Sequence, residues 1–164
     1  MYRIAVLTVS DRCSRGEAQD KSGPLISDLF GDRAETVAYE IVPDEVEDIK
    51  TALVRFADEL KADFVFTTGG TGFAPRDVTP EATKAVIERE TPGVSEAIRY
   101  ESLKITPLAC LSRAASGIRG KTLIVNLPGS PKAVRESLTV VFPILDHAKE
   151  TLSGVTLNCG KEKP

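Results

Sequence analysis

A glycine-dense stretch at residues 67–83, TTGGTGFAPRDVTPEAT, limits the possible folds of this chain more than any other feature. It follows the apolar run 64–66 and precedes a segment that starts like a helix, with Thr79 as its N-cap and Pro80 at the first helical position. Glycines allow positive φ angles and leave backbone N–H groups open, and a helix N-terminus adds further unpaired donors. A strand that leads through such a loop into a helix predicts a phosphate-binding turn in an α/β fold.

The two commonest phosphate-binding fingerprints are absent from the sequence. Gly70 and Gly72 are followed by Pro75, where the dinucleotide-binding pattern requires its third glycine. The stretch 16–22 approaches the P-loop pattern but lacks its second glycine. The loop therefore indicates neither an ordinary dinucleotide-binding fold nor a P-loop NTPase.

The rest of the chain alternates between strand and helix patterns. Strands are predicted at residues 3–9, 35–42 and 63–68, the first of them buried on both faces because it is almost wholly apolar. Helices are predicted from residue 22, from Asp44 with Glu47 as its capping-box partner, over 79–90, over 94–104 and after Pro131. Residues 116–120 are predicted to form the turn of an antiparallel hairpin whose second strand is 122–127. This pattern predicts a three-layer α/β sandwich, with a mostly parallel central sheet flanked by helices.

Four polar or glycine-containing segments follow predicted strands. They are Ser10–Asp11, Val42–Asp44, Thr68–Gly72 and Asn126–Gly129. Ligands of parallel α/β sheets bind beyond the carboxyl ends of the strands. We therefore expect these segments to line one crevice.

Composition excludes several classes of protein. The 164 residues predict one domain, 1–164, with a frayed tail from about residue 155. The formal net charge is −3 with scattered Lys and Arg, which argues against a nucleic-acid surface or a polybasic membrane anchor. Three well-separated cysteines and one histidine offer no plausible set of zinc ligands. With neither a signal peptide nor a membrane-spanning run, the expectation is a cytoplasmic protein without nucleic-acid or membrane partners.

Six motifs in order resemble the molybdopterin adenylyltransferase family: the MogA and MoaB proteins and the G domains of gephyrin and of the fused plant molybdenum-cofactor proteins. They are TVSD at 8–11, VPDE at 42–45, TGGTGFAPRDVTPEAT at 68–83, ESLKITP at 101–107, LSRAASGIRG at 111–120 and NLPGSP at 126–131. The resemblance implies a step of molybdenum cofactor biosynthesis, the Mg²⁺-dependent transfer of AMP from ATP to the terminal phosphate of molybdopterin, with release of pyrophosphate. It also implies a homotrimer, or a hexamer as in some members, and hand-over of the product to a molybdate-insertion protein.

The same resemblance assigns roles to individual residues. Asp44 and Asp77 are expected to be the catalytic carboxylates and the Mg²⁺ ligands; their structural alternatives are a helix N-cap and an Asx-type turn before Val78. Residues expected to bind the substrates or the nucleotide are Ser10, Asp11, Thr68, Gly69, Gly70, Thr71, Gly72, Ser102, Ser112, Asn126, Pro128 and Gly129. Residues that could offset phosphate charge, or instead remain solvated at the surface, are Lys21, Arg76 and Lys132.

The implied reaction requires the two reacting phosphate groups to be aligned, but it does not require a strong general base. A phosphate monoester has a second pKa of about 6 and is largely dianionic at pH 7, so it is already a nucleophile. A divalent cation and hydrogen-bond donors must offset the repulsion between two anions. Because both aspartates are present, we expect a competent enzyme. The alternatives are a non-catalytic molybdopterin-binding or scaffold protein of the MoaB type, and a nucleotide-processing enzyme of the competence-damage type, which usually carries a second domain.

Overall fold

A six-stranded sheet forms the centre of the computed structural model, which describes residues 1–154. Its strands are β1 (Tyr2–Val9), β2 (Ala34–Val42), β3 (Phe64–Thr68), β4 (Arg89–Glu90), β5 (Ser116–Arg119) and β6 (Thr122–Leu127). Their order is β2-β1-β3-β6-β5-β4. The first four strands in this order run parallel, whereas β5 is antiparallel to both β6 and β4. The mostly parallel sheet with one antiparallel hairpin is therefore confirmed.

Helices connect the strands and cover the sheet. They are α1 (Asp11–Ser14), α2 (Ser22–Phe30), α3 (Val46–Asp58), α4 (Thr79–Val86), α5 (Pro92–Leu103), α6 (Pro131–Val141) and α7 (Leu145–Leu152). Short 3₁₀ turns lie at Gly31–Arg33, Pro107–Leu111 and Phe142–Ile144. In α3, apolar side chains at helical spacing, among them Ile49, Leu53 and Phe56, are fully buried, as the sequence predicts.

Two apolar layers lie on opposite faces of the sheet. On β1, Ile4 and Val6 belong to one layer and Ala5 and Leu7 to the other, because successive residues of a strand face opposite sides. The first layer also contains residues of α2, α5, α6 and α7, and the second contains residues of α3 and α4. The three-layer sandwich is therefore confirmed.

Two local predictions are wrong. Helix α4 ends at Val86, and residues 89–90 form β4, because the edge of β5 offers carbonyl acceptors: the N–H of Glu88 donates to Ile118 O at 2.8 Å. Residues 116–119 are a strand, and the hairpin turn lies at Gly120–Lys121, where Gly120 has a φ of +56°. The predicted frayed tail lies outside the described residues. No helix within residues 1–154 has the length and apolar character needed to cross a membrane.

Candidate functional site

The carboxyl ends of the four parallel strands meet at one edge, here called the carboxyl edge. Backbone register places Val9 opposite Val42, and Thr68 opposite both Thr8 and Leu127. The loops beyond the strands are tied together as well. The N–H of Ser10 donates to Val42 O (2.9 Å), and the hydroxyl of Thr68 donates to Pro128 O (2.8 Å). The four segments that the sequence predicted to converge therefore lie side by side.

The glycine loop after β3 approaches its neighbours too closely for side chains. Gly69 and Gly70 have φ angles of +96° and +65°. A Cβ on Gly69 would lie 2.3 Å from the carbonyl oxygen of Val9, and a Cβ on Gly70 would lie 2.3 Å from Thr79 Oγ1. Thr79 is the first residue of α4 and not its N-cap, a position that Val78 occupies; its hydroxyl instead donates to Gly69 O at 2.9 Å. The loop is thus bonded directly to the first residue of α4.

Asp44 is joined to Asp11 by two reciprocal hydrogen bonds. The N–H of Asp11 donates to Asp44 Oδ2 (2.8 Å), and the N–H of Asp44 donates to Asp11 Oδ1 (3.1 Å). The prediction that Asp44 is the N-cap of α3 is wrong, because Glu45 holds that position and the Asp44 carboxylate bonds to a different segment. Asp44 Oδ1 accepts no hydrogen bond from the described residues and lies 3.2 Å from where a Cβ of Gly70 would be.

The charge on Asp44 is not neutralised by an ion pair within residues 1–154. Burial raises the pKa of the Asp44 carboxyl above its ordinary value, and the charges of Asp11 and Asp77 add to the rise. Arg76 lies nearby, but its guanidinium donates two hydrogen bonds to Asp11 (2.9 and 3.0 Å) and one to Glu45 (2.8 Å). The two hydrogen bonds from Arg76 to Asp11 lower the pKa of the Asp11 carboxyl. Of the three predicted cations, Arg76 is therefore held at the site by acidic side chains.

Asp77 closes the turn 72–77. Its Oδ2 accepts from the N–H of Ala74 at 2.9 Å and lies 2.9 Å from the position of a Cβ on Gly72. Among the described hydrogen bonds, none runs from Val78 or Thr79 to this carboxylate, so the expected Asx-type turn does not form. The Asp77 carboxylate therefore lies against one glycine of the loop, as Asp44 lies against another.

Two clefts flank this loop. The first, of about 330 Å³, is lined by residues that include Ser10, Thr68, Gly69, Gly129, Asp20 and Lys21. The second, of about 270 Å³, is lined by residues that include Thr71, Gly72, Ser102, Ser112 and Pro128. Predicted binding residues thus divide between two spaces. Lys21 is exposed at the rim of the first cleft, whereas Lys132 is exposed on α6 beside Glu136.

Asn126 lies beneath the carboxyl edge. Its side chain is fully buried: Oδ1 accepts from the N–H of Ala115 (3.1 Å), and Nδ2 donates to the hydroxyls of Thr67 (3.0 Å) and Thr83 (2.8 Å). The amide therefore links β6 to β3 and α4 from within the protein.

Sequence reasoning missed two residues that shape the site. The first is Asp20, whose carboxylate accepts hydrogen bonds from Tyr39, Thr8 and the first amides of α2. Burial alone would raise its pKa, but these hydrogen bonds together lower it. Ser22 of α2 in turn donates to Gly129 O at 2.8 Å. An acidic residue just before the Ser-Gly-Pro helix start was the available signal.

Arg113 is the second missed residue. Through four hydrogen bonds it contacts the glycine loop, the backbone of Asp77 and the first turn of α4. Its partners are 32 to 42 positions away in sequence, so no local pattern could have indicated them.

Fold and site together define the class of protein. It is an α/β protein in which a glycine loop, the N-terminus of a helix and two carboxylates without ion pairs among the described residues meet at the carboxyl edge of a parallel sheet. Such an edge offers donors to a phosphate and oxygen ligands to a cation.

Comparison with known proteins gives the family. The family model described as "Probable molybdopterin binding domain" matches residues 5–147. The chain is 46% identical over 154 residues to the molybdopterin adenylyltransferase of Helicobacter pylori J99, a match that covers 92% of this chain and 88% of that relative. It is 45% identical over 140 residues to the molybdopterin adenylyltransferase of Escherichia coli K12, with coverage of 83% and 71%.

A solved structure supports the same family. The molybdopterin biosynthesis enzyme MoaB of Thermus thermophilus matches with a TM-score of 0.88 and 50% identity, covering 94% of this chain and 98% of that one. The chain belongs to the molybdopterin-binding domain family of the MogA and MoaB proteins. The resemblance drawn from its six motifs is confirmed.

Proposed function

We propose that the protein is a molybdopterin adenylyltransferase of molybdenum cofactor biosynthesis, which transfers AMP from ATP to the terminal phosphate of molybdopterin. One observation carries this proposal. Asp44 and Asp77 reach the same glycine loop from different segments, and neither makes an ion pair within the described residues. Relatives named molybdopterin adenylyltransferase support it.

The proposed reaction is an in-line exchange at phosphorus. An oxygen of the molybdopterin phosphate forms a bond to the α-phosphorus of ATP, and the bond from that phosphorus to the bridging oxygen breaks. The electron pair of the broken bond leaves with pyrophosphate. Since the attacking phosphate is largely dianionic at pH 7, no side chain has to remove a proton. The N–H groups of Gly70, Thr71 and Gly72 bond to no acceptor among the described residues, and they are the donors that would offset the phosphate charge.

Mg²⁺ fits the two carboxylates. It prefers oxygen ligands and is usually bound by one or two carboxylates together with phosphates and water. Within residues 1–154, Oδ1 of both Asp44 and Asp77 accepts no hydrogen bond, and no group of three or more His, Cys, Asp or Glu side chains is placed to hold a metal. The phosphates would therefore supply further ligands. When bound, Mg²⁺ would offset the negative charge that the two phosphates bring together.

The two clefts fit a reaction between two substrates. Ser10, Thr68, Gly69 and Gly129 would contact one substrate, and Ser102, Ser112 and Thr71 the other. Gly70, Gly72 and Pro128 would shape the wall between the two clefts. We assign Asp11 to holding Asp44, and Asn126 to supporting the loop from below.

Assembly as a homotrimer in the cytoplasm, with hand-over of the product to a molybdate-insertion protein, belongs to the same proposal. Large apolar side chains are exposed at the end of α5, in the following 3₁₀ turn and in the segment between them, notably Leu103, Ile105 and Leu108. An exposed apolar surface of this kind is typical of a subunit interface. Light scattering on the purified protein should give the mass of three chains, or of six; the mass of one chain would contradict the assembly.

Pyrophosphate release tests the proposed function. The wild type would be compared with Asp44→Ala and Asp77→Ala, with and without molybdopterin and Mg²⁺. Asp48→Ala is the matched control, because Asp48 lies one turn further along, is exposed and makes no described side-chain hydrogen bond. We expect release only with both additions, loss in the two site variants and retention in the control.

Two results would contradict the enzyme assignment. Molybdopterin binding without turnover in the wild type would favour the non-catalytic scaffold. Absence of molybdopterin binding would exclude both functions.

A further inference from the structure

Arg113 donates hydrogen bonds to the glycine loop and to the turn 72–77. It lies in the segment between the 3₁₀ turn 107–111 and β5. Its N–H donates to Thr71 O (2.9 Å) and its Nε to Gly72 O (2.7 Å). One guanidinium nitrogen donates to the carbonyl oxygen of Asp77, and the other pairs with Glu81.

These partners mark both ends of one turn. Gly72 opens the turn that Asp77 closes, and Glu81 lies in the first turn of α4. A single guanidinium thus fixes the backbone of Asp77 relative to the glycine loop and to the helix. The Asp77 carboxylate itself bonds only to the N–H of Ala74, within the same turn. Arg76 also ties this turn to neighbouring acidic side chains, but among the described side chains only that of Arg113 bonds to Asp77 from outside the turn.

We propose that Arg113 is a positioning residue for the transfer reaction, which acts by holding the Asp77 carboxylate against the glycine loop. This inference rests on the proposed function. Each of the three guanidinium nitrogens of Arg113 already donates to a protein acceptor, so this role requires no contact with a substrate. The guanidinium is suited to this task since its donors form a rigid planar fork that reaches several acceptors at once.

Lysine cannot replace arginine in this arrangement. An ammonium group at residue 113 keeps the charge beside Glu81 but lacks the planar fork whose three nitrogens reach the acceptors on Gly72, Asp77 and Glu81 separately. Arg113→Lys should therefore keep most of the free energy of unfolding, but it should no longer hold the turn 72–77 in place. This variant separates a positioning role from a purely structural one.

Arg119 provides a matched control. It makes the same kind of contacts at the far end of β5: its guanidinium donates to Val86 O (2.8 Å) and to both carboxylate oxygens of Asp58 (2.6 and 3.0 Å). None of these partners belongs to the site. Arg119→Lys thus removes comparable bonds without touching the turn 72–77.

The experiment compares Arg113→Lys and Arg119→Lys with the wild type in steady-state kinetics. For Arg113→Lys we expect kcat to fall about 10²-fold, the loss typical of a misplaced catalytic group, with the KM for molybdopterin unchanged. The Mg²⁺ concentration for half-maximal rate should rise about tenfold, as when a supporting partner of a metal ligand is removed. Arg119→Lys should leave kcat and the Mg²⁺ requirement unchanged.

Amide hydrogen exchange gives a second readout that requires no turnover. Amides of residues 73–79 should exchange faster in Arg113→Lys and at the wild-type rate in Arg119→Lys. Wild-type kcat in Arg113→Lys would overturn the inference, as would an equal kcat loss in both variants. If the wild type itself shows no turnover, the proposed function fails, and unchanged exchange at 73–79 in Arg113→Lys would overturn the positioning role on its own.

Discussion

Asp63 and Asp44 lie at opposite ends of the parallel sheet and differ in whether a cation neutralises them. At the end where the strands begin, Asp63 accepts a hydrogen bond from the N–H of Arg3 (2.7 Å) and forms an ion pair with Lys149 (2.7 Å). Glu35 there pairs with Arg3. At the carboxyl edge, Asp44 accepts only a backbone N–H from the described residues, and its second oxygen faces the glycine loop.

The presence or absence of a neutralising cation distinguishes an acidic side chain that stabilises the fold, such as Asp63, from one that functions in the site, such as Asp44. A partly exposed pair such as Asp63–Lys149 contributes about 0–1 kcal/mol to the free energy of unfolding. A half-buried carboxylate without a cation is unfavourable by itself, and its raised pKa records that cost. Retention of such a group beside a glycine loop is typical of a functional site.

Substitution of Asp44 should give the largest effect. Asp44→Asn should reduce turnover by about 10²–10³-fold, the loss seen when one group that stabilises transition-state charge is removed, without lowering the free energy of unfolding. Asp63→Asn should do the reverse, with turnover unchanged and the free energy of unfolding lower by about 1 kcal/mol. Urea unfolding and pyrophosphate release measure both. Equal losses of stability in the two variants would contradict the proposed difference between Asp44 and Asp63.

Two glycines with similar backbone angles sharpen the contrast. Gly16 (φ +73°) has open space around an added Cβ, whereas an added Cβ at Gly70 (φ +65°) meets Thr79 Oγ1 at 2.3 Å. Gly16→Ala should cost about 1–2 kcal/mol of stability from backbone strain alone. Gly70→Ala should cost roughly a further 1–3 kcal/mol from overpacking and should lose turnover. Equal costs at both positions, measured by urea unfolding, would show that the loop is not tightly packed.

The smallest effect is a difference in pH dependence. Because the pKa of Asp44 is raised in the folded protein, the charged side chain destabilises the fold above that pKa, and acidification relieves the penalty. Asp44→Asn should therefore be more stable than the wild type at neutral pH, with the gain fading as the pH falls through the raised pKa. Asp58 has the opposite sign: Arg119 lowers its pKa, so Asp58→Asn should be less stable at neutral pH, and this deficit should fade as the pH falls through the lowered pKa. Unfolding curves at several pH values measure both, and a shared sign would contradict the assignment.

Much of the fold was predictable because its signals are local. The apolar run of β1 and the buried stripe of α3 lie in short segments whose periodicity reflects burial. The strand β4 was not predictable in this way, since a two-residue strand exists only where β5 offers its edge. The N-cap prediction at Asp44 failed for a related reason: the Asp44 carboxylate bonds to Asp11, 33 positions away.

Site residues that lie in recognisable motifs could be predicted from the sequence. Roles that depend on long-range contacts could not. The convergence of four loops follows from strand order and parallel register, so residues such as Ser10 and Gly69 could be placed together in advance. The burial of Asn126 and the contacts of Arg113 with the turn depend on how β5, β6 and α4 pack. Sequence patterns identify which residues gather at an edge, but tertiary packing decides which of them face a ligand.

The most direct test of the central claim follows the α-phosphate itself. Wild-type protein and Asp44→Asn would be incubated with molybdopterin, Mg²⁺ and ATP radiolabelled at the α-phosphorus, and the products would be separated by chromatography and their radioactivity measured. The account predicts that the wild type places the label in adenylyl-molybdopterin, with one pyrophosphate released for each label transferred, and that Asp44→Asn places almost none there. Label that remains in ATP, or appears only as free AMP with the wild type, would contradict it.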